Sequence, residues 1–160
     1  MKLVVIVVVL AVIGFVVKGR LDKSNPEIIE HPVYAEMRVD LKEGIRELNV
    51  VLFGKAVDMD DCNLRTENTW KKVLSGCPTC ELSPAKCMEA LPARYARLFE
   101  NSRIPSTYLT FTRGSRFERD GRLVVYGLTR DEGLMVCEQM RNSVSKEDYT
   151  GTLECIPPSE

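Results

Sequence analysis

The chain is poor in the residues that most enzyme sites are built from. It has one histidine, His31, and one tryptophan, Trp70, in 160 residues. It contains no G-x-S-x-G segment, no phosphate-cradling Gly-rich loop and no Cys-x-x-Cys-His haem-attachment run. Nucleophilic catalysis through a Ser-His-Asp set would have to pass through His31, which lies beside Pro32 in a polar stretch without a packed shell to fix its ring. Charge of one sign is equally scarce. Lys plus Arg number 22 and Asp plus Glu 23, a net charge of -1, so no global basic field marks a nucleic-acid binder. With 44% hydrophobic and 28% charged residues, the composition excludes disordered and collagen-like chains. The length suits one domain, or one domain with an anchor.

What the chain does have begins at its N-terminus. Residues 3–17 read LVVIVVVLAVIGFVV, with no charge and no polar face. As a helix, this run spans about 22 Å at 1.5 Å per residue. Lys2 and Lys18 extend its reach toward the headgroups of a bilayer core about 30 Å thick. A buried soluble helix would show a polar stripe, and this run has none. No Ala-x-Ala cleavage site follows it, which favours an uncleaved anchor over a signal peptide. The expected layout is a transmembrane anchor at 1–18, a polar linker at 19–33, an α+β domain at 34–156 and a tail at 157–160.

Six cysteines, Cys62, Cys77, Cys80, Cys87, Cys137 and Cys155, all lie beyond the anchor. An even number behind an export-type segment points to an oxidising compartment and structural disulfides. The flanking Lys and Arg are nearly balanced, so the cysteines set the orientation. The expectation is a single-pass protein of a bacterial inner membrane with its body in the periplasm.

Within the body, Met37, Val39 and Leu41 alternate with Glu36, Arg38 and Asp40, the period of a strand. Lys42-Glu43-Gly44 reads as a turn and 45–55 as a second strand. A helical rival exists, because Asp40-x-x-Glu43 resembles a capping box and Leu41, Ile45, Leu48 and Leu52 share a helical face. Gly44 and the Val50-Val51 run favour the hairpin. Residues 58–75 read as a helix capped by Asp58 and ended by Gly76, with Leu64, Trp70, Val73 and Leu74 on its apolar face. Ser83-Pro84 reads as the start of a second helix running toward Asn101 with a kink at Pro92. Asp120-Gly121 marks a hairpin turn, Thr129-x-x-Glu132 a capping box, and 149–156 a final strand. A short apolar run followed by an acidic helix start and a cysteine occurs twice, at 50–62 and 124–137. Two strand-strand-helix units would place helices on one face of an antiparallel sheet. The fold expected is therefore an antiparallel sheet with about three helices, disulfide-linked, behind a transmembrane helix.

The cysteines offer three chemistries. Zinc wants four thiolates or imidazoles, and only one C-x2-C knuckle is present. Thiol redox chemistry at Cys77-Pro-Thr-Cys80 would need a strand leading into the motif and a helix N-terminus to lower the first thiol's pKa, whereas Cys77 follows a helix C-terminus. Structural pairing is the third and preferred chemistry. Helix rise sets Cys62 and Cys77 about 22 Å apart, beyond disulfide reach. Cys77–Cys87, Cys80–Cys87 and Cys137–Cys155 are feasible, as is Cys62 with Cys137 or Cys155. Asp58, Asp60 and Asp61 lack the spacing of a calcium loop and suit a helix start instead.

Residues 94–122 hold seven arginines against Glu100, Glu118 and Asp120. Arg113, Arg116, Arg119 and Arg122 cluster around one predicted hairpin. They are the expected contact surface for an acidic partner or anionic headgroups. The functional expectation is a non-catalytic accessory or assembly partner in an envelope complex, held to the membrane by residues 3–17, without cofactor, metal or nucleic acid. The alternative is an envelope thiol–disulfide oxidoreductase using Cys77 and Cys80.

Overall fold

The computed structural model describes residues 28–69, 71, 77, 79–145 and 149–160. The expected anchor at 3–17 lies outside them, as do Trp70, Val73, Leu74 and Gly76. Among the described residues no helix is long and apolar enough to cross a membrane.

The alternation after Pro32 forms β1 (Val33–Glu43), and β2 (Arg46–Ala56) returns beside it. Gly44 takes a φ of +66° in the two-residue turn between them, a conformation that favours glycine. That turn decides against the helical rival. Helix α1 (Met59–Thr69) follows, with the Asp58 carboxylate accepting the Asp61 amide at 2.7 Å. The chain continues through β3 (Cys80–Met88), α2 (Ala93–Phe99), β4 (Tyr108–Thr112), β5 (Gly121–Tyr126), α3 (Arg130–Val144) and β6 (Thr152–Ile156). The capping box of α3 is formed, with Thr129 and Glu132 bonding each other's backbone.

All six strands join one antiparallel sheet in the order β3-β1-β2-β5-β4-β6. The order is symmetric about the β2–β5 seam. Each half is a β-β-α-β unit, and each half's last strand lies at a sheet edge. The paired apolar runs noticed in the sequence are β2 and β5, the two strands of the seam.

The sheet's two faces differ. Met37, Val39 and Leu41 of β1, Val50 and Leu52 of β2, and Leu109 and Phe111 of β4 turn to one face with Cys62 of α1 and Val136 and Met140 of α3. Val51, Phe53, Tyr108 and Val124 turn to the other, where Tyr95 and Leu98 of α2 cover them.

Two expected elements are corrected. Residues 83–92 are not helical: Ser83-Pro84 lies inside β3, and the helix spans Ala93–Phe99 with Pro92 as its N-cap. Proline removes a ladder donor, so a sheet tolerates it at an edge or a bulge. Pro84 has both, because β3 is an edge strand and its register with β1 shifts opposite Glu36–Arg38. Asp120-Gly121 is likewise not a turn. Gly121 opens β5 opposite Phe111, and residues 113–120 form the connecting loop.

That loop is held by carboxylates. Glu118 accepts from the amides of Gly114, Ser115 and Thr150 and from the Thr150 hydroxyl. Asp61 of α1 accepts from Arg65 at 2.8 Å and from Arg119 at 2.7 Å, both buried guanidiniums. Burial favours the neutral acid at Asp61. The hydrogen bonds from Arg119, Arg65 and the Val57 amide outweigh burial and hold the carboxyl below its usual range. A depressed folded-state pKa contributes stability that is full above the unfolded value of about 3.9 and is lost as pH falls through the folded value.

Asp61→Ala leaves two buried guanidiniums without their carboxylate. It is expected to lower stability by about 3 kcal/mol at pH 7 in urea unfolding. It should also flatten the loss of stability below about pH 4. A urea midpoint equal to the parent's at pH 7 would refute this role for the carboxylate.

Candidate functional site

The loop expected to present four arginines presents two. Arg119 and Arg122 are buried. Arg119 is spent on Asp61 and on the carbonyls of Arg116 and Glu118. Arg122 lies in β5, on the face that α2 covers. It donates to the Leu98 and Gly121 carbonyls and the Asn101 side chain, with the Phe99 ring 4.9 Å from its guanidinium carbon. A count of arginines along the sequence cannot separate these interior donors from surface charge. The surface share is the exposed Arg116 and the half-buried Arg113. They border a recess of about 370 Å³ with Ile28, Ile29, His31 and Val57, beside the N-terminal end of the described residues. His31 is exposed there.

All six cysteines are paired, as Cys62–Cys87, Cys77–Cys80 and Cys137–Cys155. Their Cα separations, 6.1, 5.4 and 6.0 Å, fall in the range that disulfides occupy. Cys137–Cys155 is among the pairings the sequence admits. Cys62–Cys87 is not among those the sequence singles out, because helical spacing puts Cys87 at the start of a second helix, whereas it stands on β3. The two long bonds correspond under the sheet's symmetry, each tying its half's helix to its half's edge strand. Each has one fully buried end, Cys62 or Cys137. The third is different. Both Cys77 and Cys80 are partly exposed, and the bond closes a span of three residues.

On the face covered by α2, the helix shields only the middle. The rest of that face is polar. Glu36, Arg38 and Asp40 alternate along β1 there, opposite Phe53, Val51 and Asn49 of β2. Arg38 donates from Nε to Glu36 and from Nη2 to the Tyr95 hydroxyl, both at 2.6 Å. Asn49 donates to Asp40 at 2.5 Å and lies opposite Tyr126. Burial, then the neighbouring Tyr95, pushes the Tyr126 phenol upward against the pull of Arg38 and Arg94. A cleft of about 600 Å³ opens here, walled by α2 and by Ile104-Pro105-Ser106. Volumes of about 300–1,000 Å³ are usual for small-molecule sites. A second recess of about 490 Å³, lined by Asp40, Lys42, Glu47 and Glu81, adjoins it at Asn49 and Tyr126. The sequence carried a signal for this cleft in the Glu36-x-Arg38-x-Asp40 alternation. That alternation reads as an ordinary solvated strand face until α2 is known to cross it.

Among the described residues no group of three or more His, Cys, Asp or Glu side chains is placed to hold a metal ion. No family model, curated protein or solved structure matches the chain.

The chain-entropy relation assigns the Cys77–Cys80 bond about 1.6 kcal/mol and each long bond more than 3 kcal/mol. Graded reductant with alkylation and peptide mass mapping is expected to label Cys77 and Cys80 first. Cys77→Ser/Cys80→Ser should cost about half as much stability as Cys137→Ser/Cys155→Ser. Simultaneous labelling of all six cysteines would contradict the ordering.

Proposed function

We propose that the chain is a membrane-tethered, non-catalytic binding module, an accessory or assembly partner of an envelope complex, with its body in the bacterial periplasm. The pairing of all six cysteines carries the reading. Such a set persists in oxidising compartments and is rare in reducing ones. The apolar run at 3–17 supplies the tether. Tethering confines the body to the membrane surface and raises its effective concentration toward other envelope proteins. Arg113 and Arg116 supply the contact, at the end of the body nearest the linker. Surface charge of this kind sets encounter rate and partner choice more than affinity. The carboxylates Asp61 and Glu118, which an acid–base site would need free, are occupied with donors of the loop itself.

A specific observation favours a second reading. The Cys77–Cys80 bond has both ends partly exposed, and removing it costs the fold least. A substrate thiolate attacking one of its sulfurs would release the other as a thiolate. Attack by a second substrate thiol on the mixed disulfide would then leave an oxidised substrate and a reduced Cys77/Cys80 pair.

A C-terminal alkaline phosphatase fusion of the full chain is expected to be active, since that reporter folds outside the cytoplasm. Activity only in a cytoplasmic reporter fusion would overturn the export reading. Crosslinking in intact membranes is expected to capture an envelope protein, and Arg113→Glu/Arg116→Glu to lower the yield at least fivefold. An unchanged yield would remove these arginines from the contact. Loss of capture in Cys77→Ser/Cys80→Ser instead, with mixed disulfides trapped in the Cys80→Ser single variant, would favour the thiol-exchange reading.

A further inference from the structure

The cleft beside α2 gathers three arginines. Several arginines outside it are matched: Arg46 meets Glu132, Arg65 and Arg119 share Asp61, and Arg141 meets Glu138. The cleft is lined by Arg38, Arg94 and Arg97 and by no carboxylate. Arg38 has its own counter-ion in the buried Glu36. Among the described residues Arg94 and Arg97 have none. Arg94 instead has its guanidinium carbon 4.5 Å from the centre of the Tyr95 ring.

The guanidinium of Arg38 is fixed on two sides, by Glu36 at Nε and by Tyr95 at Nη2. Its Nη1 has no hydrogen-bond partner among the described residues. A guanidinium already held in place loses little freedom on meeting an anion, and its planar fork suits a carboxylate or phosphate oxygen. Beside the cations the lining is formed by the partly buried Tyr126 and Ile104 and the nearly buried Tyr95 and Leu98, with Asn49, Pro105 and Ser106. Apolar walls around a few convergent polar groups characterise small-molecule sites.

We propose that this cleft binds a small organic anion with a flat apolar body, the anionic head between Arg38, Arg94 and Arg97 and the body against Tyr95 and Tyr126. The site is independent of Arg113 and Arg116, which lie on a separate recess. Carboxylates and phosphate monoesters share the required chemistry, and the head with the better fit is decided by titration.

The test uses the full chain in lipid nanodiscs with its five tyrosines carrying ring 13C labels. Benzoate is the probe, phenyl phosphate the second head and benzyl alcohol the neutral control. Benzoate is expected to shift the Tyr95 and Tyr126 resonances saturably, at about millimolar concentration for so small a ligand. Tyr108 and Tyr149, away from the cleft, should stay in place. Benzyl alcohol should bind at least tenfold more weakly. Arg94→Glu/Arg97→Glu alters two exposed side chains and should weaken benzoate at least tenfold while leaving benzyl alcohol unchanged. Tighter binding of phenyl phosphate supports the site and names a phosphate head; weaker binding supports it with a carboxylate head. Equal affinity for benzoate and benzyl alcohol, shifts spread over all five tyrosines, or charge reversal without effect would each overturn the proposal.

Discussion

The two long disulfides hold a helix to a sheet edge in each half, and the architecture depends on the one at α1 most. The buried residues of α1 are Cys62, Arg65, Thr66 and Thr69. Thr66 and Thr69 return their hydroxyls to the helix's own carbonyls, and Arg65 is committed to Asp61. Cys62 is therefore the one apolar side chain that the described part of α1 places in the core. A helix docked through polar groups gains little from apolar burial, which ordinarily holds helices to sheets. Helix α3 contrasts with it, burying Val136, Cys137, Met140 and Val144 in an ordinary apolar stripe. The Cys62–Cys87 bond and the Asp61 carboxylate between two arginines thus do for α1 what apolar packing does for α3. Both supports link α1 to distant parts of the chain, Cys87 on β3 and Arg119 in the 113–120 loop. Reduction of the long bond would leave α1 tied to the 113–120 loop through the pH-sensitive Asp61–Arg119 pair and the Arg65 bond to the Phe117 carbonyl, so the stability of this half depends on that disulfide staying oxidised.

Much of the fold was legible where one local rule acts alone. Gly44 in an alternating sequence reads as a hairpin because the turn needs a positive φ and few residues supply it. Thr129 and Glu132 announce α3 through a reciprocal cap made within four residues. The β3 strand was illegible because two rules conflict there. Ser83-Pro84 has the chemistry of a helix start, and Met88, Leu91, Tyr95 and Leu98 follow helical spacing. The strand won because β1 offers a full ladder to its free edge. The bulge opposite Glu36–Arg38 absorbs the proline and also breaks the period-two pattern that would have revealed the strand. The pairing of Cys62 with Cys87 was lost with it, since a cysteine on a second helix has no reason to lie under the first.

The site residues divide in the same way. Arg122 is a strand residue next to Leu123, so alternation places the two on opposite faces. Whether the second face is solvent or core depends on α2, whose position no local signal encodes. Once α2 is placed, Arg122 becomes an interior donor that caps the Leu98 carbonyl. Arg38, equally unremarkable in the sequence, becomes a fixed guanidinium at a cleft wall. A single seven-residue helix therefore converts one arginine to structure and leaves another at a cleft wall.

The asymmetry between the faces follows from what each half supplies. Both halves send one helix to the same face, and their edge strands are stapled there, so that face is closed by symmetry. The other face receives only α2, the segment joining the halves, and one short helix cannot span six strands. It covers Phe53, Val51 and Val124 near the seam and leaves Arg38 and Asp40 of β1, Asn49 of β2 and Tyr126 of β5 partly exposed. Exposed apolar rows there would be an aggregation hazard. The sequence instead places Glu36, Arg38, Asp40, Asn49 and Tyr126 on those rows. The half-covered face is therefore where this architecture leaves a polar, partly walled space.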